Sequence, residues 1–383
     1  VKIQEGGLRK EMNNRINKAV KISALTIIMA LSFAGYWMNG ATAVEIDCYV
    51  ARVDELGGAI LDVSADEIAD AGFDLGDSVD IFIGDDCVIR AVPYYNDFYG
   101  HYKDTILVQI QETVLIGDLY NDLAEEHNIS GGEKVRILLD EHEKYADILD
   151  LYRLENSNDV DDFNTTQEFI NAREVTGGDI GGGILYRSSG PFDDRYGRQD
   201  AVAEYIENNN INTVIALADT EKSISEYDGI ADNVRQMINN DQVIYSDLGI
   251  KIHSDEFRDN VADCCREIPQ KEGPYLVQCA WRRDRTGFVC ILLEGLMGAS
   301  YDEVLDDYML SYKSLYQLTE ESNPEKYSLF EEKGDEMVDC ISGEETLSDA
   351  DKKDLSRIAG KYLKDGGLSE SEISDLKNVL SGD

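Results

Sequence analysis

Cys279-Ala280-Trp281-Arg282-Arg283-Asp284-Arg285-Thr286-Gly287 follows an apolar run, Tyr275-Leu276-Val277, and leads into a helical run from Phe288 to Gly298. The succession predicts strand, loop and helix, one unit of an α/β fold. Five residues separate Cys279 from Arg285, which lets the loop curl so that its backbone N–H groups face one oxyanion such as phosphate. The N-terminus of the following helix adds the positive end of its dipole. In that field Cys279 is a thiolate able to attack phosphorus. Arg285 can fork two equatorial oxygens.

Working outward, segments 167–315 alternate apolar strand runs with helical ones. Thr213-Val214-Ile215-Ala216-Leu217 reads as a buried strand, and Ala201–Glu207 and Phe257–Ile268 as helices. The polar cluster from Asn156 to Thr166 marks a boundary before this region. Residues 44–160 read as β-rich with short helices. Two similar halves stand out there: Ala71-Gly72-Phe73-Asp74-Leu75-Gly76-Asp77-Ser78-Val79-Asp80-Ile81-Phe82-Ile83, and the stretch from Glu126 to Leu139 around Gly131-Gly132. Each has a short helical lead-in, a glycine turn and a strand, which predicts a small barrel or sandwich built on a repeated unit. Residues 316–383 read as a helical extension. Ser348 with Asp351, and Ser369 with Glu372, are capping-box candidates, and Gly366-Gly367 separates two amphipathic helices. The expected organisation is therefore a leader over 1–43, a β-rich domain over 44–160, an α/β domain with a central sheet over 161–315, and the helical extension over 316–383.

The chain of 383 residues carries 77 acidic against 35 basic side chains, a net charge of −42. That excess argues against binding nucleic acid or anionic membrane surfaces and for a heavily hydrated surface. The basic cluster Arg9, Lys10, Arg15, Lys18 and Lys21, the apolar run Ile22–Trp37 and the small residues Ala41-Thr42-Ala43 read as a secretory signal peptide. An uncleaved anchor is the alternative, although the run is short for a span of about 20 residues. The expected product is exported, extracellular or cell-surface associated, without stable membrane insertion once the leader is removed. An exported chain permits disulfides. Among the cysteines 48, 87, 264, 265, 279, 290 and 340, a Cys48–Cys87 bridge is plausible, Cys279 is the natural free thiol, and Cys290 reads as a buried hydrophobe. No cysteine or histidine spacing suggests zinc.

The run C-x5-R-T-G is the signature of cysteine-dependent phosphatases. With Leu185-Tyr186-Arg187-Ser188, Asn171-Ala172-Arg173, Val214–Asp219, Tyr301–Val304 and Asp306-Asp307-Tyr308, the chain from about 163 to 315 resembles the bacterial tyrosine-phosphatase family, whose members carry H-C-x-x-G-K-D-R-T-G and L-Y-R-S. The resemblance implies a phosphomonoesterase that forms a phosphocysteine on Cys279, with Arg285 holding the oxygens and Thr286 easing the sulfur's departure. It implies Arg282, Arg283, Arg187 and Gly287 as substrate-binding residues, and no metal or organic cofactor. The partner implied is a phosphorylated substrate: phosphotyrosine protein, phosphoinositide or inositol phosphate. The β-rich stretch loosely resembles the C-terminal domain of S-adenosylmethionine hydroxide adenosyltransferases and fluorinases; only a fold carries over, since their catalytic domain is absent.

Three carboxylates compete as general acid. Asp284 lies in the loop, where the family's K-D-R pattern implies a role; Asp219 ends a strand; Asp255 precedes a helix that Ser254 or Asp255 itself could simply cap. Arg187 has a rival reading as a structural ion pair. The loop also departs from the family pattern. Gln278 replaces the histidine before the cysteine, Arg282 replaces a glycine, Arg283 replaces lysine, and Trp281 is bulky for a loop closing on phosphate. Two readings follow: an active loop whose extra arginines favour polyanionic substrates, or an impaired loop that only binds phosphate.

Overall fold

Alternation along seven short strands between Glu45 and Glu141 buries one set of side chains and closes the sheet on itself. These strands are β1 (Glu45–Val53), β2 (Ala59–Ser64), β3 (Ser78–Ile83), β4 (Cys87–Tyr95), β5 (Thr105–Ile110), β6 (Thr113–Asp118) and β7 (Lys134–Glu141). In this computed structural model, which describes residues 44–279, 283–344, 347–348 and 351–382, they form a closed barrel in the order β1-β2-β6-β5-β4-β3-β7. The expected leader, residues 1–43, lies outside the described residues, as do Ala280, Trp281 and Arg282.

Closure leaves no unpaired edge, a solution that open sheets lack. Sequence reading left barrel and sandwich open; the barrel is the outcome. The two similar halves lie side by side. Each is a short helix, α1 (Ala65–Asp70) or α2 (Leu123–His127), followed by a turn into β3 or β7. These two strands pair antiparallel with Ile81 opposite Ile137 and Ile83 opposite Val135. Both turns use a glycine in the left-handed region, Gly76 at φ +96° and Gly132 at φ +93°, where a Cβ would be strained.

No disulfide forms. Cys48 faces Val135, Val135 faces Ile83, and Ile83 faces Cys87. The two thiols are thus three strand spacings apart, roughly 14 Å along the sheet, well beyond bridging distance. The expected Cys48–Cys87 bridge is corrected accordingly: both are unbridged cysteines.

A helix, α3 (Ala146–Tyr152), leaves the barrel. The second sheet has the order β11-β10-β12-β9-β8, from β8 (Arg173–Glu174), β9 (Leu185–Ser188), β10 (Thr213–Ala216), β11 (Val243–Tyr245) and β12 (Tyr275–Gln278). All neighbours are parallel except the antiparallel pair β8–β9. The helices are α4 (Thr166–Phe169), α5 (Gln199–Asn208), α6 (Glu221–Ser225), α7 (Asp232–Asn239), α8 (Asp255–Glu267), α9 (Asp284–Leu296), α10 (Tyr301–Tyr316), α11 (Pro324–Ser342), α12 (Leu355–Asp365) and α13 (Glu370–Ser381).

Strand alternation divides the sheet's side chains between two cores. Leu185, Ile215, Ile244, Val277 and Cys279 face a large core with α8 to α13, while Tyr186, Val214, Ala216, Val243 and Leu276 face α5 and α7. Every described residue of α9 from Thr286 to Leu296 is buried, so it is the central helix and is apolar all round, as such helices are. The C-terminal helices are no separate appendage: Leu329, Met337, Leu363 and Leu376 belong to that same core. Ser369 and Glu372 form the expected capping box, but α12 is capped by Asp354 after a single 3₁₀ turn at Asp351–Lys353.

A layer of rings joins barrel to helices. Tyr99 stacks on Tyr152 at 5.2 Å, Tyr152 meets Phe330 edge-on at 6.3 Å, and Phe330 lies 4.8 Å from Tyr312. Lys251 pairs with Asp122 at 2.9 Å, and His101 bonds Glu336. No helix among the described residues is long and apolar enough to cross a membrane.

Candidate active site

In an open parallel sheet, ligands bind outside the carboxyl ends of the strands, where connections diverge to either side. Here β12 is central, flanked by β10 and β9, and the residues just past their ends line a pocket of about 170 Å³. Ser189 and Gly190 follow β9, Ala218 and Asp219 follow β10, and Gln278 ends β12. Arg285, in the first turn of α9, completes that wall, and Phe192, Asp193, Arg195, Tyr196 and Tyr227 close the other. Cys279 is the residue next after Gln278 and is only 2% exposed.

Period-two geometry settles which side each side chain takes. Cys279 shares the face of Val277, towards α9; Gln278 takes the opposite face. Helix α9 starts without a side-chain cap among the described residues, so no capping side chain offsets the positive end of its dipole. Arg285 donates from Nη1 to the Leu248 carbonyl at 2.9 Å, which anchors one prong of its fork at the edge of the pocket it lines.

The three acid candidates separate. Asp219 lines the pocket, accepts an N–H from Gln278 Nε2 at 3.1 Å, and has its carboxyl raised above the usual range by burial, partly offset by Gln278 and by the Arg285 charge. Asp284 does not line the pocket: Arg283 Nε lies 3.4 Å from its Oδ1, and its charge acts on Tyr120 of the barrel and on Tyr308 and Tyr312 of α10. Asp255 is in the first turn of α8, its side chain 87% exposed and paired with Arg258 at 2.7 Å, while Ser254 Oγ caps the helix. It is a helix-start acid.

Two of the expected substrate contacts do not line the pocket. Arg187 is fully buried, with Nη1 2.8 Å from Asp307 Oδ2 and Nη2 3.0 Å from Ser311 Oγ. β9 pairs it with Val277, so it lies on the Cys279 face of the sheet. Gly287 lies inside α9, donating its N–H to the Arg283 carbonyl, and a Cβ there would be 2.8 Å from the Tyr308 ring. The helix begins four residues earlier than its apolar pattern suggests, and Gly287 packs within it against Tyr308. Thr286 is also within the helix, fully buried, and its Oγ1 makes no hydrogen bond among the described residues. Arg283 is half-buried against Asp284, away from the pocket. Trp281 and Arg282 lie outside the described residues.

Some participants were not legible beforehand. Asp307 binds Arg173 in a two-pronged contact at 2.7 and 2.9 Å as well as Arg187. The charge of both guanidinium groups holds its carboxyl below the usual range in spite of burial. Glu294 of α9 is 2% exposed, and burial and the Asp307 charge push its carboxyl well up. The Asp306-Asp307-Tyr308 match was the one available signal for Asp307. Among the described residues no group of His, Cys, Asp and Glu is placed to hold a metal ion.

Among solved structures, the chain is similar to an uncharacterized conserved protein from Thermotoga maritima, at 16% identity over 28% of this chain and 42% of that one, with a TM-score of 0.23. The chain thus spans less than half of that protein's length, and so low a score carries no argument. No curated protein matches. The profile of the tyrosine phosphatase family matches residues 167–382, more than half of the chain, from just before β8 through the last helix. The match takes in the sheet, the pocket and all of the C-terminal helices, and on it the chain belongs to the tyrosine phosphatase family.

Proposed function

We propose that the protein is a phosphomonoesterase working through a phosphocysteine on Cys279. The observation that carries this is the meeting of Asp219, Gln278 and Arg285 in one pocket, at the carboxyl ends of three parallel strands and the N-terminus of α9, with Cys279 next in the chain. The Cys279 thiolate attacks phosphorus, and the bond from phosphorus to the ester oxygen breaks. Asp219, its carboxyl held up by burial, gives its proton to the leaving oxygen. Arg285 and the α9 N-terminus hold the equatorial oxygens. A water then attacks phosphorus, its proton passes to Asp219, and the S–P bond breaks. Thr286 Oγ1, buried and without another hydrogen bond among the described residues, is available to the departing sulfur. Asp219 is preferred over Asp284 because it alone of the two lines the pocket.

The substrate class is a phosphotyrosine protein, phosphoinositide or inositol phosphate. The basic and apolar segments of residues 1–43 support export. For the barrel we propose the fold of the C-terminal domain of the adenosyltransferases named above, with no activity implied.

The test is hydrolysis of p-nitrophenyl phosphate, a phosphotyrosine peptide and inositol hexakisphosphate, with Cys279→Ser and Arg285→Ala beside the parent. Cys279→Ser abolishes turnover if the reading is right, and turnover that survives it refutes the mechanism. Absence of turnover together with phosphate-analogue binding that Arg285→Ala removes would make the domain a phosphate-binding module instead.

A further inference from the structure

Gln278 stands where the resembled family has histidine, and it is 1% exposed. Its side chain spans the pocket floor between two loops. On one side Nε2 donates to Asp219 Oδ2 at 3.1 Å. On the other, Oε1 lies so close to Gly190 that a Cβ there would be 2.7 Å from it. Backbone pairing fixes the base of this bridge: Gln278 is in register with Ala216 of β10 and Ser188 of β9, and its carbonyl accepts the Leu217 N–H at 3.0 Å. The amide therefore has little freedom, and Asp219 is held from the central strand.

We infer that Gln278 is a positioning residue for Asp219, orienting the acid's carboxyl towards the leaving oxygen and receiving its charge after the proton has left. This rests on the reading of Asp219 as general acid. The bond is weak to a neutral carboxyl and strong to a carboxylate, so it gains strength as the proton departs, which is when stabilisation accelerates a reaction. The charged or titratable groups that act on Asp219 are Arg285, Asp193, Arg195, Tyr245 and Tyr227, the last also through a side-chain hydrogen bond. Of these Asp193 is engaged by Arg195. A neutral amide at position 278 favours loss of the acid's proton less than a charged imidazolium beside it would.

General-acid assistance matters for a poor leaving group and little for a good one. The experiment compares phenyl phosphate with p-nitrophenyl phosphate for the parent, Gln278→Met, Gln278→His and Asp219→Asn, each checked for folding by circular dichroism and melting. Gln278→Met is expected to lose about tenfold or more in kcat on phenyl phosphate and less than about threefold on p-nitrophenyl phosphate. The alkaline limb of its kcat profile moves to higher pH, because the bond it loses favours the ionised carboxyl. Gln278→His, which restores an N–H donor, recovers part of the phenyl phosphate rate and keeps the test alive if the methionine variant does not fold. Equal losses on both esters, or no loss, overturn the inference while leaving the phosphatase reading intact. A parent that hydrolyses neither ester overturns both.

Discussion

Replacing Gly287 by alanine tests whether this residue belongs to the substrate loop or to the helix packing. The Tyr308 ring is fully buried and lies between two glycines. A Cβ on Gly287 of α9 would sit 2.8 Å from its Cε2, and a Cβ on Gly334 of α11 would sit 2.9 Å from its Cδ1. The hydroxyl is held 3.0 Å from Tyr312, so the ring can yield to neither side. Alanine should gain about 1 kcal/mol from helix propensity. Overpacking a closed core costs about 1–3 kcal/mol. With both faces of the ring blocked the upper half of that range applies, giving a net loss of about 1–2 kcal/mol and a fall in melting temperature of roughly 2–6 °C. Gly334→Ala should act similarly, and the double variant should be non-additive because both press on one ring. The assays are thermal and urea unfolding, with KM for p-nitrophenyl phosphate measured alongside. The expected result is lower stability at a KM within about twofold of the parent. A KM raised about tenfold or more at unchanged stability would restore Gly287 to the substrate loop and refute the reasoning.

Two other predictions follow from buried groups. Asp307→Ala removes the carboxylate that Arg173 and Arg187 share and should cost about 3–5 kcal/mol in urea unfolding; a loss below about 1 kcal/mol would show the buried network to be dispensable. His253 stacks on Tyr102 with ring centroids 3.6 Å apart, and burial pushes its imidazole from 6.5 down to about 4. The unfolded chain takes up this proton below pH 6.5 while the folded chain refuses it to about pH 4. Its stabilisation is therefore complete above pH 6.5 and lost as pH falls towards 4, on the order of 1–2 kcal/mol by pH 5. In unfolding series from pH 7.5 to 5 the parent should weaken more steeply than His253→Phe, and equal slopes would overturn the assignment.

How far the sequence reached depends on the range of the interaction. The strand-loop-helix unit around Cys279 was legible because a buried strand and an apolar helix write their periods into adjacent residues. The two glycine turns of the barrel were legible because left-handed backbone favours glycine. The start of α9 was misplaced, since Asp284, Arg285 and Thr286 are helical without being apolar, and the placing of Gly287 went with it. The Cys48–Cys87 bridge was misread because sharing one domain says nothing of strand order.

By itself, then, the sequence determined the strand-to-helix α/β unit and the C-x5-R-T-G succession between them, both consequences of local spacing. Which carboxylate faces the pocket, that Arg187 pairs with Asp307, and that Gln278 grips Asp219 were decided only by tertiary structure. Each depends on how β9, β10 and β12 align and on which face α9 and α10 cover. Such pairings join residues 59 to 120 positions apart, and no local period encodes them.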